Sequence, residues 1–492
     1  MAKWVMMTHF LMLSVYSVCL FVFCLFGTHR LWLLWIYFRN RKRPALPPPS
    51  PTPLENQYAP RVTIQLPIYN EQYVVDRLIE AVCAIDYPRD RLEIQVLDDS
   101  SDETIAIVDQ LVAQKQVEGF NIEAIRRAER EGFKAGALQY GMGISEGEFL
   151  LIFDADFVPP PDILRKGIPY FRDETVGMVQ FPWEHINRHY SLLTYAQSVL
   201  LDGHFNIEHL ARSRTGRFFN FNGTAGIWRK ACIIDAGGWE GDTLTEDMDL
   251  SYRAQLKGWQ FMFIPDLPIP AELPVELNAF KSQQYRWAKG GVQTAIKLLP
   301  RLLTSSIPLH VKVESLFHLT ANLTYLLMPC LILILPLLAI CTSCISPIIH
   351  TTSFVASFMS IVLFYITAQR HSSKRNLWQV ILAIPLVMAV SIGLCINNSR
   401  AILEALFLKK SSFIRTPKYN VINKKNKWKS LKKYRVKTNI YFFLELFFLF
   451  YSLWTASIIL LNAAYHFIPF IIIFIFGFFY FIFLSLRQLY LK

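Results

Sequence analysis

The chain has 492 residues and a net charge of +12, and 53% of its residues are hydrophobic. That fraction exceeds the roughly 45–50% of soluble globular proteins, and the excess lies before residue 39 and after about residue 316. The basic residues flank apolar stretches, at 39–43 and 424–437, as they do on the cytosolic side of membrane proteins. Composition therefore argues against a soluble chain and against nucleic-acid binding, and it favours a membrane protein.

The first apolar stretch spans residues 9–37. A signal peptide would carry its positive charges before the apolar run, whereas here the basic cluster 39–43 follows it. We therefore predict a membrane span, with the segment after it in the cytosol. The proline-rich residues 44–60 predict a stiff linker.

The middle of the chain alternates short apolar runs with helical patterns. We predict strands at residues 61–66, 92–97, 121–125 and 149–153, and helices at 75–84 and 104–114. This alternation is typical of a mainly parallel sheet covered by helices. Ligands bind such sheets at the carboxyl ends of the strands, so polar residues that follow strands are the candidates for a site.

Two aspartates follow the fourth predicted strand, at Asp154 and Asp156. Carboxylates with this spacing can hold Mg²⁺ or Mn²⁺ together with diphosphate oxygens. The same sequence would also occur in a helix cap or in a solvated turn. Asp98 and Asp99 follow the second strand. The run 98–102 could cap the next helix, through Asp102 or a serine, which leaves Asp98 and Asp99 as candidates to bind a base or a ribose. Lys134 lies between glycines at a predicted helix start, a place suited to phosphate.

Two later motifs carry further candidates. Glu246 and Asp247 precede a helical stretch, where a carboxylate could act as a general base or merely form a capping box. Gln283 and Arg286 share one face of a helix and could bind diphosphate, and Trp287 could stack on a sugar ring. A membrane anchor would also place tryptophan and arginine there.

The C-terminal third contains apolar stretches at residues 319–341, 354–367, 380–395 and 440–486, and the last divides into two spans near 462–466. If the basic segment 424–437 and the middle domain both lie in the cytosol, an even number of spans separates them. We therefore interpret 380–395, which contains Pro385, as an interfacial helix. Three true spans, with 424–437 outside the cytosol, are the alternative.

These patterns divide the chain into six parts. They are a membrane anchor with a basic segment (1–43), a linker (44–60), a cytosolic domain (61–300), an interface helix with two spans (301–372), an interfacial helix with a loop and a basic segment (373–437), and two final spans (438–492).

Taken together and in order, the motifs resemble the processive branch of inverting glycosyltransferase family 2, the cellulose synthase superfamily. The resemblance covers residues 61–418. It rests on Tyr69-Asn70-Glu71, Asp98-Asp99, Asp154-x-Asp156, Thr245-Glu246-Asp247 and Gln283-x-x-Arg286-Trp287. The stretch 221–226 looks most like cellulose-synthase-like A and C proteins and their bacterial relatives. The resemblance implies an α/β domain of GT-A type, Rossmann-like and mainly parallel, inserted between transmembrane helices.

The resemblance also implies a role for each matching residue. Asp247, with Glu246, would be the catalytic base, and Trp287 and Asn222 would meet the acceptor. The metal would lie on Asp154 and Asp156. The nucleotide-sugar would be bound by Tyr69, Glu71, Asp98, Asp99, Lys134, Asp154, Gln283, Arg286, Thr416 and Lys418. Residues 413–418 resemble a gating loop of the form FxVTxK, in which Arg415 replaces the valine.

The resulting hypothesis is a metal-dependent polysaccharide synthase, expected in the inner membrane of a bacterium. It would extend a β-1,4-glucan-like polymer and carry it across the membrane, with UDP-glucose as the first choice of donor. A β-mannan synthase that uses GDP-mannose is the alternative. A transferase adding one sugar to a ceramide or polyprenyl-phosphate acceptor, and a transporter without catalysis, are further alternatives.

Overall fold

The computed structural model describes residues 2–43, 59–341, 346–372, 377–409, 411, 415–422 and 440–489. Most of the proline-rich linker and all of the basic segment 424–437 therefore lie outside the described residues, as do Phe413 and Ile414 of the predicted gating loop.

The centre of the middle domain is a seven-stranded sheet in the order β3-β2-β1-β4-β7-β5-β8, and β6 and β9 form a separate parallel pair. Within the large sheet, β7 runs antiparallel to β4 and β5, and the other neighbours are parallel. The strands are Val62–Ile68 (β1), Leu92–Asp98 (β2), Ile122–Ile125 (β3), Phe149–Ile152 (β4), Val176–Gln180 (β5), Trp183–His185 (β6), Gly226–Arg229 (β7), Gln260–Phe263 (β8) and Ile269–Ala271 (β9).

The four predicted strands are present as β1 to β4, and the predicted mainly parallel α/β fold is confirmed. All four residues of β4 are buried, and so are six of the seven residues of β1. Such strands read as continuous apolar runs because helices cover both faces of the sheet.

The helices of the domain mostly follow the strands in sequence. They are Val75–Cys83 (α2), Thr104–Val117 (α3), Phe133–Ile144 (α4), Ile163–Gly167 (α5), Leu192–Gly203 (α6), Leu210–Ser213 (α7), Lys230–Asp235 (α8) and Glu246–Leu256 (α9). A π-helical turn, His204–His209, joins α6 to α7.

Long helices precede and follow this domain. They are Ala2–Asn40 (α1), Leu277–Thr304 (α10), Leu309–Thr320 (α11), Thr324–Ile340 (α12), Pro347–Ser372 (α13), Leu377–Gly393 (α14), Cys395–Leu406 (α15), Tyr441–Leu461 (α16) and Ile468–Leu489 (α17). Helix α10 connects the domain to the apolar helices, because it contacts α9 on one side and α11, α15 and α17 on the other.

By length and composition, five of the described helices could cross a membrane: Phe10–Asn40, Leu309–Ile340, Pro347–Arg370, Tyr441–Leu461 and Tyr465–Gln488. The stretch interpreted as an interfacial helix forms α14, which continues into α15 after a bend of 43°. Together α14 and α15 would be a sixth span or a re-entrant pair. Helix α14 packs on α17 and α6, and the interfacial interpretation stays a prediction.

Candidate active site

A cavity opens at the carboxyl ends of β1, β2 and β4, where the sequence predicts the ligand. Among the predicted site residues, all except Asp98 line it. These are Tyr69, Glu71, Asp99, Lys134, Asp154, Asp156, Asn222, Glu246, Asp247, Gln283, Arg286, Trp287, Thr416 and Lys418. The cavity measures about 190 Å³, less than the roughly 300–1,000 Å³ of typical ligand pockets, since ion pairs close across it.

The loop after β1 forms one end of the cavity. Asn70 has a φ of +56°, and its backbone N–H donates to Ser100 Oγ at 2.8 Å. This left-handed residue turns the chain sharply after β1, so that Tyr69 and Glu71 both face the cavity. The Arg130 guanidinium lies over the Tyr69 ring, 3.3 Å from its centroid, a cation–π contact.

Carboxylates at this end are paired with arginines. Arg415 lies 2.8 Å from Glu71 Oε2, and Arg127 donates to both oxygens of Asp99 at 3.1 and 2.5 Å. Burial raises the pKa of Glu71 to about 8, although Arg415 and Lys418 oppose that shift. The end of the cavity predicted to hold the base and ribose therefore presents both acceptors and bidentate donors.

Asp98 lies outside the cavity. Its carboxylate is buried and accepts from Arg126 at 2.9 and 3.0 Å and from the backbone N–H of Ser100 at 3.0 Å. These bonds tie the end of β2 to the end of β3, because Arg126 follows β3. The structure thus gives Asp98 a bracing position and leaves Asp99 as the member of the pair that faces the cavity.

The Asp154 and Asp156 carboxylates already attract cations. Lys134 Nζ donates to Asp154 and to the Gly223 carbonyl oxygen, and Lys418 Nζ donates to Asp156 Oδ2 at 2.7 Å. Although burial alone would lower the pKa of Lys134, the carboxylates of Asp154 and Glu246 raise it. Carboxylate oxygens are the ligands that Mg²⁺ and Mn²⁺ prefer, so these residues fit a divalent cation.

A second acidic group, formed by Glu240, Asp242 and Asp249, does not fit a metal in the same way. The Lys297 ammonium group already lies among its carboxylates, 2.5, 2.8 and 3.0 Å from their oxygens. The group is a salt-bridge cluster that attaches α10 to α9.

Glu246 and Asp247 lie in the first turn of α9 and face the cavity. Burial raises the pKa of Asp247 to about 7, and the Glu246 carboxylate adds to that shift. Burial also raises the pKa of Glu246. Gly223 lies so close that an added Cβ would be 3.0 Å from Asp247 Oδ2, and its φ is +79°. Glycine is therefore required beside the candidate base.

Helix α10 carries Gln283, Arg286 and Trp287 to the side of the cavity that faces the membrane helices. Arg286 donates to Thr416 Oγ1 at 2.8 Å. Lys418 Nζ also donates to the Glu272 carbonyl oxygen at 3.1 Å. The described residues of the predicted gating loop thus close the cavity against α10 and the segment after β9.

Sequence reasoning missed several residues that line the cavity: Arg130, Trp183, His185, Glu272 and Arg415. The sequence could have indicated Arg130, because it belongs to a group of basic residues that follows the third predicted strand. Glu272 follows β9, a strand of three residues that is too short for its alternation to be read from the sequence. The sequence marks Arg415 only as a departure from the loop motif.

Comparison with known proteins places this site in context. The family model described as "Glycosyltransferase like family 2" matches residues 60–290. Glucomannan 4-beta-mannosyltransferase 2 of Arabidopsis thaliana is 43% identical over 249 residues, which is 50% of this chain and 47% of the relative. Glucomannan 4-beta-mannosyltransferase 1 of Oryza sativa subsp. japonica is 42% identical over 249 residues, or 50% of this chain and 48% of the relative. The match thus spans about half the length of these relatives.

One solved structure has a similar fold over most of the chain. It is the mannosyltransferase PcManGT from Pyrobaculum calidifontis in complex with GDP-Man and Mn2+. The match covers 80% of this chain and 100% of that one, with 21% sequence identity and a TM-score of 0.57.

Proposed function

Because residues 60–290 belong to glycosyltransferase family 2, we propose that the protein transfers mannose from GDP-mannose, with inversion, to a growing β-1,4-linked mannan. The observation that carries this proposal is the single cavity in which Asp154, Asp156, Asp247, Arg286 and Trp287 meet. The cavity contains the groups that such a transfer needs to hold a cation, to accept a proton, to bind the diphosphate and to stack on a sugar.

The donor is GDP-mannose rather than the UDP-glucose expected first. The relatives described above are named as mannosyltransferases of glucomannan, and the solved structure described above contains GDP-Man. These names support the mannan alternative and give no support to a glucan product.

The positions of the side chains support the following mechanism. Asp247 accepts the proton of the acceptor hydroxyl as that oxygen attacks the anomeric carbon. Gln283, Arg286, Lys134 and Lys418 hold the diphosphate. A divalent cation held by Asp154 and Asp156 would neutralise charge on that leaving group. Donor binding must open the Lys134–Asp154 and Lys418–Asp156 pairs, since both ammonium groups then turn to phosphate oxygens.

Trp287 offers a flat face to the acceptor, and Asn222 also lines the cavity. Because α10 contacts the apolar helices, the acceptor lies on their side of the site. This position supports repeated addition to a chain that leaves along those helices. The proposed enzyme is an integral membrane protein. The relatives described above are plant proteins and give no support to a bacterial inner membrane.

Membranes that contain the full chain, incubated with labelled GDP-mannose or UDP-glucose and with Mn²⁺ or Mg²⁺, test the proposal. We expect label from GDP-mannose in a polymer that β-mannanase digests, and loss of incorporation with EDTA. Asp247→Asn should abolish transfer, whereas Asp86→Asn, at an exposed aspartate paired with Arg165, should not. Incorporation from UDP-glucose alone would overturn the donor, and one sugar per lipid would overturn the polymer.

A further inference from the structure

Two histidines share one side of the π-helical turn that joins α6 to α7. In an α-helix, residues five apart point roughly 140° away from each other. The π-turn instead closes with i to i+5 hydrogen bonds, which brings His204 and His209 together. Their ring centroids are 4.2 Å apart. Such turns frequently occur at functional sites.

Both imidazoles contact the side chain of Asn222. His209 Nε2 lies 2.7 Å from Asn222 Oδ1 and 3.0 Å from the Asn220 carbonyl oxygen. A carbonyl oxygen can only accept, so Nε2 of His209 carries the hydrogen and donates. The atom of Asn222 that faces it must therefore be the amide oxygen, which fixes which way the amide points.

The rest of the network follows from this assignment. Asn222 Nδ2 donates to His204 Nε2 at 2.8 Å, so His204 carries its hydrogen on Nδ1. That nitrogen lies 3.2 Å from Glu208 Oε2, which accepts. Arg212 lies 3.5 Å from the same oxygen and donates to Glu314 in α11 at 3.0 Å. Each donor in the series has a matching acceptor.

The environment of His209 favours this neutral form. The ring is buried and lies against three aromatic rings, Phe205, Phe219 and Phe263, with centroids 5.5, 5.1 and 5.5 Å away. Burial lowers the pKa of His209 well below its ordinary value. A protonated His209 would place a charge among apolar rings, which is costly.

We propose that His204 and His209 are positioning residues for the acceptor sugar, which act by holding the Asn222 amide in one orientation. The inference rests on the proposed function. Asn222 lines the cavity next to Gly223, where an added Cβ would lie 3.0 Å from Oδ2 of the candidate base Asp247. The acceptor hydroxyl must approach that base, so the second N–H of the Asn222 amide is placed to donate to a neighbouring sugar oxygen.

Binding measurements on the full chain in detergent test this role. We compare the Kd of β-1,4-mannohexaose with the Kd of GDP in His204→Leu and His209→Leu. Each change should weaken oligosaccharide binding roughly tenfold, since one hydrogen bond to the acceptor is lost, and leave GDP binding unchanged. Glutamine at either position can replace the imidazole bond and should restore most of the affinity. His189→Leu, at an exposed histidine, is the matched control.

A double variant separates positioning from a direct contact. In the Asn222→Ala background, His204→Leu should weaken mannohexaose binding no further, because the group through which it acts is gone. Additive losses, or equal losses for GDP and mannohexaose, would overturn the proposal. If His209→Leu lowers the Tm, its effect on binding could come from lost stability. His204 is partly exposed, so the result for His204→Leu then decides the test. If another sugar proves to be the substrate, the donor proposal fails and the same series is measured with that oligosaccharide.

Discussion

Asp247, the proposed general base, has a pKa that differs strongly from that of an ordinary aspartate. An aspartate in water has a pKa of roughly 3.9 and is a weak base. At the start of α9, burial and the neighbouring Glu246 raise the pKa of Asp247 to about 7. A base with a pKa near the working pH is efficient, because it is still ionised and yet binds the proton strongly.

The pH dependence of transfer follows from that pKa. Asp247 accepts a proton only when it is ionised, so kcat/KM should fall as the pH drops through the raised pKa. We expect an acid limb with a midpoint well above the ordinary aspartate value, measured as initial rates of mannose transfer between pH 5 and 9. The Kd of GDP measured over the same range separates this limb from the titration of Glu71. A flat profile down to pH 5 would contradict the assignment.

Arg415 should contribute to the selection of the nucleobase of the donor. A guanidinium donates in a bidentate manner to O6 and N7 of guanine, a contact worth about 1–3 kcal/mol, and uracil has no equivalent pair. Arg415 lines the same end of the cavity as Tyr69 and Glu71. Arg415→Val should therefore reduce the preference for GDP over UDP roughly tenfold, measured as the ratio of their Kd values. Arg415→Lys, which keeps the charge without the fork, should lose much of the preference too, and an unchanged ratio in both variants would argue against this role.

Among the individual elements, helix α10 connects the candidate active site to the apolar helices. Its Gln283, Arg286 and Trp287 face the cavity, while Lys289 donates to the Lys409 carbonyl oxygen at 2.7 Å and lies 3.3 Å from Glu404 of α15. Near its start, Lys281 donates to both oxygens of Glu445 in α16 at 2.6 and 2.7 Å. Buried ion pairs of this kind fix the position of one helix on another.

Removing one partner of the Lys281–Glu445 pair should destabilise the protein strongly. Glu445 is 1% exposed, and a buried charge left without its partner costs roughly 3–5 kcal/mol. Lys281→Met should therefore lower the Tm in detergent, and the double variant Lys281→Met/Glu445→Leu should recover part of the loss. Lys166→Met, which breaks the exposed pair with Asp162, should change the Tm little. A double variant no more stable than Lys281→Met would contradict this explanation.

For the molecule as a whole, the number of helices that cross the membrane decides which segments lie on the same side as the domain. The described residues contain five helices that could cross it, or six with the bent pair α14 and α15. The positive-inside rule predicts that the basic segment 424–437, which lies outside the described residues, is on the same side as the domain. That arrangement requires α14 and α15 to return to the side from which they enter.

The sidedness can be measured with epitope tags in sealed vesicles. A tag inserted after Ser430, in the basic segment, should be accessible from the same side as one after Ser101 in the domain. A tag after Ala463, between α16 and α17, should be accessible from the opposite side and serves as the control. Opposite accessibility of the Ser430 and Ser101 tags would mean that the bent pair crosses the membrane.

By itself, the sequence predicted the fold class, the four leading strands, the apolar helices and the family resemblance, because apolar periodicity and motifs at strand ends are local properties. It also named fourteen of the residues that line the cavity. Strand order predicts those that follow strands, because parallel strands bring their carboxyl ends together, and helix-start and helix-face motifs and the family resemblance imply the others. Their roles, and the division into six parts, stay predictions. Only the tertiary structure separated Asp98 from Asp99, because that depends on Arg126 from the neighbouring strand. It alone placed Arg415 against Glu71 and joined His204 and His209 to Asn222, since those contacts depend on loop paths and on a π-turn that no local pattern specifies.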